Sequence, residues 1–513
     1  MNQAATAKGH PKGLYVLFAT EMWERFNFYG MRAMLVLFMT KALLFNDEFS
    51  SNLYGSYISL IYLSPLVGGY IADRFWGNKR SILVGGLVMA AGELILFACG
   101  SVYDSSPGLA TPLFFTGLGF MIAGNGFFKP NISSLVGQLY PANDLRKDPA
   151  YTIFYMGINL GGMFGPIVCG FFGDTGNPVD FKWAFLVGAI AMLISIVVQK
   201  LYHDKHVKSP EGKILGLTPG TDPDAAKDRI AAPPKIVLNP VVMTIGVLVL
   251  AGIMIGAMYL DTTINYLFYL LGASFLFIVF LIFSDKNLTK EEQQRIWVMI
   301  IIAVFVVFFW GAYEQTGASL VFFADRQTNR NLWGDYVMPT SYTQSFNSAF
   351  IVIFAPVFAW IWLKMGKKQP ATPTKMGIGL ILLGLGYLWI AYGVKDVGEK
   401  QVSIIWLTGL YLLHTFGELC LSPIGLSLFN KLSPLRFASL LMAVWFLGNA
   451  GGNKLAGVLS ALYPEGGKTT NFLGYHMTNL YEFFMLFVVM GILAGTILLL
   501  LSKKLQKMMH GIQ

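Results

Sequence analysis

The sequence predicts an all-α polytopic membrane protein: 14 transmembrane helices, arranged as two six-helix bundles with a helix pair inserted between them. Three observations point to that class. Of 513 residues, 55% are hydrophobic and only 13% charged, whereas soluble chains carry about a quarter charged residues. Apolar runs of 20 or more residues recur from end to end, and roughly 20 apolar residues span a bilayer as helix. The short alternating strands that a transmembrane barrel needs do not occur.

The apolar runs and their breakers set each span in turn. The first six fall near 14–44, 51–73, 80–102, 110–139, 148–173 and 181–202, forming an N-terminal bundle within 1–203. The stretch "HDKHVKSPEGKILGLTPGTDPDAAKDRIAAPPK" follows, and its Pro, Gly and charge content marks a solvated cytoplasmic linker, 204–236. Two inserted spans near 237–259 and 263–284 occupy 237–285. Six more, near 294–323, 340–364, 375–394, 402–431, 436–462 and 478–508, form a C-terminal bundle within 286–513.

The net charge of +9 is placed for a membrane rather than for nucleic acid. Lys and Arg gather in alternate loops: around Arg74, Lys79 and Arg80; Arg146 and Lys147; Lys200 to Lys235; Lys286 to Arg295; Lys364 to Lys375; Lys431 and Arg436; and Lys503 to Lys507. Loops such as "FNDEFSSN", "SVYDSSPGLA" and "YLDTTIN" are acidic or neutral. That alternation follows the positive-inside rule and puts both termini in the cytoplasm. The loop at Arg326 and Arg330 departs from it. Cys99, Cys169 and Cys420 lie in apolar segments without paired spacing, so neither a disulfide framework nor a metal site is expected. The leader "MNQAATAKGHPKG" carries no cleavage signal, so the first span is expected to stay as a helix.

Six plus two plus six spans resemble the major-facilitator architecture, whose binding site lies at the midplane between two repeated halves. "GGYIADRFWGNKR" (Gly68 to Arg80) resembles the facilitator loop motif, with one extra residue between Asp73 and Gly77.

The first span, "TEMWERFNFYGMRAMLVLFM", carries four charges in a segment that belongs in lipid. At about 100° per residue, Glu21, Glu24, Arg25, Phe28, Tyr29 and Arg32 share one face. Intramembrane charges cost several kcal/mol by most estimates and nearly always face a partner or a watery pathway. An i+4 pair, Glu21–Arg25, accounts for part of the stripe as structure; the excess charge points to a polar cavity. Partners exist on other spans: Lys129 in "NGFFKPNISSLVGQ", Glu314 in "FFWGAYEQTGASL" with Trp310 one turn earlier, and Glu418 in "HTFGELCLSPIGLSLF". Glu93 has few polar neighbours and reads as structural, and His414 reads first as a packing residue. Cations gather on the N-terminal bundle, Glu314 and Glu418 on the C-terminal one. A zwitterion suits that split.

Four segments then resemble signatures of the proton-dependent oligopeptide transporter family, bacterial type. "EMWERFNFYG" (Glu21 to Gly30) is similar to its first-helix motif E-x-x-E-R-F-x-Y-Y-G, with Phe28 in place of a Tyr. "FFKPNISSLVGQLY", "FYMGINLGGMFGP" and "GELCLSPIGLS" resemble its span-four, span-five and span-ten motifs. The resemblance covers nearly the whole chain. It implies a proton-coupled symporter that imports di- and tripeptides by alternating access. It implies Arg25, Arg32 and Lys129 for the peptide carboxylate, and Asn159, Asn347 and Glu418 for the amine. Tyr29, Tyr62, Trp310 and Trp445 would line side-chain pockets, and Asn449 would add an adaptable polar contact. Proton coupling would rest on Glu21, Glu24, Glu314, Arg32 and Lys129, with Arg32–Glu314 as a salt bridge. The partners implied are peptides, protons and lipid, with protons the only coupling ion, no cofactor or metal, and no obligatory protein partner; the place is a bacterial inner membrane. The second span, "YGSYISLIYLSPLVGGY", lacks the histidine that some relatives use for protons, so coupling would rest on carboxylates.

A carrier of nitrate or free amino acids on the same fold is the alternative, though an anion carrier has less need of Glu418. An enzyme is disfavoured: no metal-ligand spacing, G-x-S-x-G elbow or phosphate loop occurs.

Overall fold

The computed structural model describes residues 9–141, 144–219, 235–395, 400–464 and 468–511. The stretch 220–234 of the predicted linker 204–236 lies outside the described residues. The helices run in order α1 (Lys12–Lys41), α2 (Asp47–Ile71), α3 (Asn78–Val102), α4 (Pro107–Gln138), α5 (Lys147–Gly173), α6 (Phe181–His206), α7 (Pro240–Ile264), α8 (Tyr266–Phe283), α9 (Lys290–Tyr313) and the single turn α10 (Ser319–Phe322). They continue with α11 (Ser345–Met365), α12 (Thr372–Val394), α13 (Ile404–Leu432), α14 (Ala438–Ser460) and α15 (Leu480–Met508). Each predicted span holds a long helix, with ends shifted by a few residues except in the span 294–323, which breaks. Twelve of the long helices are apolar enough to cross a membrane. The other two, α1 and α14, carry the charged stripe and Asn449, Asn453 and Lys454.

The chain divides into two units. One comprises Met1–Met34 and Ser64–Gly256; the other Leu35–Leu63 and Ala257–Gln513. In the first, α3 lies against α4 through glycine: a Cβ on Gly85 would sit 2.6 Å from the Gly124 carbonyl oxygen. Helices α1 and α5 meet the same way, since a Cβ on Gly161 would lie 2.4 Å from the Met22 carbonyl oxygen. Small residues at such spacing let membrane helices approach closely. Trp76 stacks on Phe127 at 5.0 Å within an apolar cluster shared with Met243, Val247 and Ala251 of α7.

The extra residue of the loop motif has a local solution. Ala72–Trp76 forms a π-helical turn, closed by Gly77 N–H donating to the Ala72 carbonyl at 2.8 Å. Such a turn absorbs one inserted residue. Gly77 leaves it at φ +73, with the Leu217 carbonyl where a Cβ would sit. Part of the predicted linker therefore packs rather than floats: Lys79 N–H donates to the Gly216 carbonyl at 2.9 Å and Lys79 pairs with Asp204 at 2.6 Å.

In the second unit, α12 packs along α15 and α13, and α14 along α9 and α8. The span predicted as one helix over 294–323 breaks at Glu314. A 3₁₀ turn, Glu314–Gly317, follows α9, and at its end Gly317 abuts Tyr54 so closely that no Cβ fits. The arginine-bearing loop that departs from the positive-inside pattern is paired off locally: Arg326 to Asp47 at 2.5 Å and Arg330 to Asp325 at 3.6 Å. Loop residues also form three strand pairs that the apolar pattern did not signal: β1 (Thr328–Asn329) with β4 (Val402–Ser403), β2 (Asn331–Trp333) with β3 (Tyr336–Val337), and β5 (Thr470–Phe472) with β6 (Tyr475–Met477). Leu473 and Gly474 at φ +50 and +89 make the β5–β6 turn.

Candidate transport site

The charged stripe of α1 is buried in the first unit. Arg25 clasps Glu24 at two points, Nε to Oε2 at 2.5 Å and Nη2 to Oε1 at 2.7 Å. Its Nε also lies 3.3 Å from Glu21 Oε1, the expected i+4 pair. One guanidinium thus serves two carboxylates, and charge-assisted forks of this kind are the strong ones. Asn125 Nδ2 of α4 adds a donor to Glu24 Oε1 at 3.4 Å. Lys129, one turn further along α4 and half-buried, acts electrostatically on Glu21. Arg25 sits over the Phe28 ring at 5.1 Å, where the family pattern has tyrosine. Tyr29, half-buried, meets Phe28 edge-on at 5.3 Å, and Arg32 is buried. Asn159 of α5 is buried with its amide returned to the Tyr155 carbonyl at 2.9 Å. The close α1–α5 approach at Gly161 lies against Arg25, for a Cβ there would press on the Arg25 Cβ at 2.8 Å. Glu93 keeps the structural role expected of it, accepting from Asn27 Nδ2 at 2.8 Å.

The second unit holds the other cluster. Glu418 of α13 accepts through one oxygen, Oε2, from Tyr313 Oη at 2.5 Å and from Asn347 Nδ2 at 3.1 Å. Asn347 also donates to Thr415 Oγ1 at 3.1 Å. Glu418 forms no ion pair among the described residues, and Glu314 adds a second negative charge within electrostatic range. Trp310 meets Tyr313 edge-on at 5.2 Å and is set by α14, whose Gly452 would place a Cβ 2.6 Å from the Trp310 Cβ. Trp445 packs on Phe429 at 5.1 Å, and Asn449 returns its amide to the Trp445 carbonyl at 2.8 Å. Tyr62 is half-buried on α2. His414 is fully buried against Tyr387 at 4.8 Å, in line with a packing role. Among the described residues no group of His, Cys, Asp and Glu has the make-up of a metal site.

The structure brings Glu21, Glu24, Arg25 and Lys129 together in one unit, and Asn347, Glu314 and Glu418 in the other. Sequence reading missed Tyr313, Thr415 and Asn125. Each had a signal: Tyr313 precedes Glu314, Thr415 lies three residues before Glu418, and Asn125 lies one turn before Lys129.

The described residues thus comprise fourteen long helices bearing two buried charged clusters, the make-up of a multi-pass membrane protein. Comparison with known proteins is specific. The POT family model matches residues 79–474. The chain is 34% identical to the "Uncharacterized transporter YclF" of Bacillus subtilis over 98% of its length and 96% of the relative's. It is 31% identical to a "Di-/tripeptide transporter" of Lactococcus lactis subsp. cremoris, over 98% of each. A solved peptide transporter POT in complex with sulfate shares 32% identity at a TM-score of 0.80, over 99% of this chain and 97% of that one. The chain belongs to the POT family and is a membrane transporter, not an enzyme.

Proposed function

We propose that this transporter is a proton-coupled symporter that imports di- and tripeptides by alternating access. The observation that carries the reading is Glu418: a buried carboxylate held by two neutral donors and left without a cation among the described residues. A burial this costly calls for a cationic group from outside the protein, and a peptide amine supplies one. Asn159 and Asn347 assist it. Arg25, Arg32 and Lys129 take the peptide carboxylate. Tyr29, Tyr62, Trp310 and Trp445 line pockets for side chains, and Asn449 adds an adaptable polar contact. Glu21, Glu24 and Glu314, with Arg32 and Lys129, carry the proton coupling, and Arg32 pairs with Glu314 in part of the cycle. A carboxylate that gains a proton releases its cation, so protonation biases one state of the carrier over another.

Similarity to di-/tripeptide transporters supports the cargo. Protons are the coupling species and no cofactor is required. The bilayer is a bacterial inner membrane, with both termini cytoplasmic. The test is uptake of labelled dialanine into liposomes with and without an inward proton gradient, and with excess unlabelled trialanine. Accumulation only with the gradient, blocked by trialanine, supports the reading; no accumulation by folded protein overturns it.

A further inference from the structure

We propose that Tyr313 is a positioning residue of the amine subsite: it fixes Glu418 by one oxygen so that the other is presented to the ammonium of the substrate. This rests on the reading of Glu418 as the amine anchor and adds a residue to it. The phenol ring is locked on three sides. It stacks on Phe309 at 5.5 Å and 19°, meets Trp310 edge-on at 5.2 Å, and lies 6.0 Å from the His414 ring. Its hydroxyl has a single proton to give, and that proton goes to Glu418 Oε2 at 2.5 Å.

Asn347 Nδ2 approaches the same oxygen at 3.1 Å and is steadied by Thr415 Oγ1, which donates to the Tyr411 carbonyl at 2.7 Å. Oε2 therefore receives two donors, whereas no described protein donor reaches Oε1. A carboxylate oxygen accepts two hydrogen bonds, so Oε1 keeps its full capacity for a primary ammonium. Tyr313 and Asn347 are both neutral donors, so neither offsets charge on the anchor. A cation in place of either would cancel it. Tyr313 also sits where α9 ends and the 3₁₀ turn begins, so the break in the helix fixes the angle at which the phenol reaches α13. Such support by a packed, hydrogen-bonded neighbour is what holds a binding group to its working geometry.

The experiment compares wild type, Tyr313→Phe and Glu418→Gln in liposomes, using dialanine as substrate and N-acetyl-dialanine, which lacks the ammonium, as competitor. Melting temperatures are taken in parallel. Tyr313→Phe is expected to raise the KM for dialanine about tenfold, as for loss of one charge-assisted hydrogen bond. Vmax should stay within about twofold and N-acetyl-dialanine affinity unchanged, so discrimination between the two compounds narrows. Tyr313→Met, which keeps apolar volume without the hydroxyl, is expected to match it and serves if the Phe variant does not fold. An unchanged KM in Tyr313→Phe while Glu418→Gln loses dialanine overturns the role of Tyr313 alone. A fall in Vmax at constant KM also overturns it. A wild-type KM in Glu418→Gln overturns the amine anchor itself.

Discussion

Lys454 Nζ lies 2.5 Å from Asp261 Oδ2, with both side chains fully excluded from solvent. The pair joins α14 to the end of inserted helix α7. Asn265 Oδ1 accepts from the same ammonium at 3.1 Å and Ser56 Oγ lies 3.2 Å from it. Asp261 Oδ1 accepts the Leu267 N–H at 2.8 Å, starting α8. Ser56 of α2 donates to Asp261 Oδ2 as well. The network ties the α7–α8 junction to α14 and α2.

Breaking that pair from one side leaves a buried charge alone. Asp261→Leu or Lys454→Met is expected to cost about 3–5 kcal/mol, while the two together recover most of it. Thermal melts of the four proteins in detergent, read as a double-mutant cycle, check this. Additive losses would mean that the two residues do not depend on each other.

The α1–α5 interface makes a steric prediction. Gly161→Val pushes a side chain into the Met22 carbonyl and the Arg25 Cβ, and overpacking of this kind costs about 1–3 kcal/mol. It is expected to lower both melting temperature and dialanine uptake. Gly252→Ala on α7, with open space around it, is the neutral control.

Arg25 predicts a failure of conservative exchange. Lysine keeps the charge but not the fork that grips Glu24 at two points while reaching Glu21. Arg25→Lys is expected to cut dialanine uptake about tenfold or more and to lower the melting temperature as well, since the fork is made in the substrate-free fold. Wild-type uptake in that variant would remove the fork from the mechanism.

The loop before α5 predicts what the pH profile will not contain. Hydrogen bonds from the Arg146 side chain and N–H hold Asp144 down to about 2 from 3.8. Depressed in the folded state, this carboxylate contributes stability that is fully present above pH 3.8 and lost as pH falls through about 2. Asp144→Asn is therefore expected to leave the shape of the uptake profile unchanged between about pH 5 and 8. A moved midpoint would place Asp144 among the coupling groups.

The helices were legible because lipid demands long apolar runs, and the α1 stripe because periodicity reports which residues share a face. Partners across the fold were not. "YLDTTIN" reads as an acidic loop, yet Asp261 lies within α7 and is buried against Lys454. Nothing local announces a pair almost two hundred residues apart, here separated by 193. The break at Glu314 escaped for a related reason. It lies beside the tight approach of Gly317 to Tyr54, a tertiary contact that a hydrophobic run continuing to 323 does not announce. Tyr313 lay beside a chosen residue, but only the placement of α13 shows that its hydroxyl reaches Glu418.

Proton-coupled peptide import is tested most directly by watching the proton move. Liposomes holding the transporter and a pH-sensitive dye, with no imposed gradient and an inside-negative potential, receive dialanine from outside. The lumen is expected to acidify on addition, and to stay unchanged with Glu21→Gln or when alanine amide replaces the peptide. Dialanine that enters without acidification would contradict proton coupling, and a lumen that neither acidifies nor fills would contradict peptide transport.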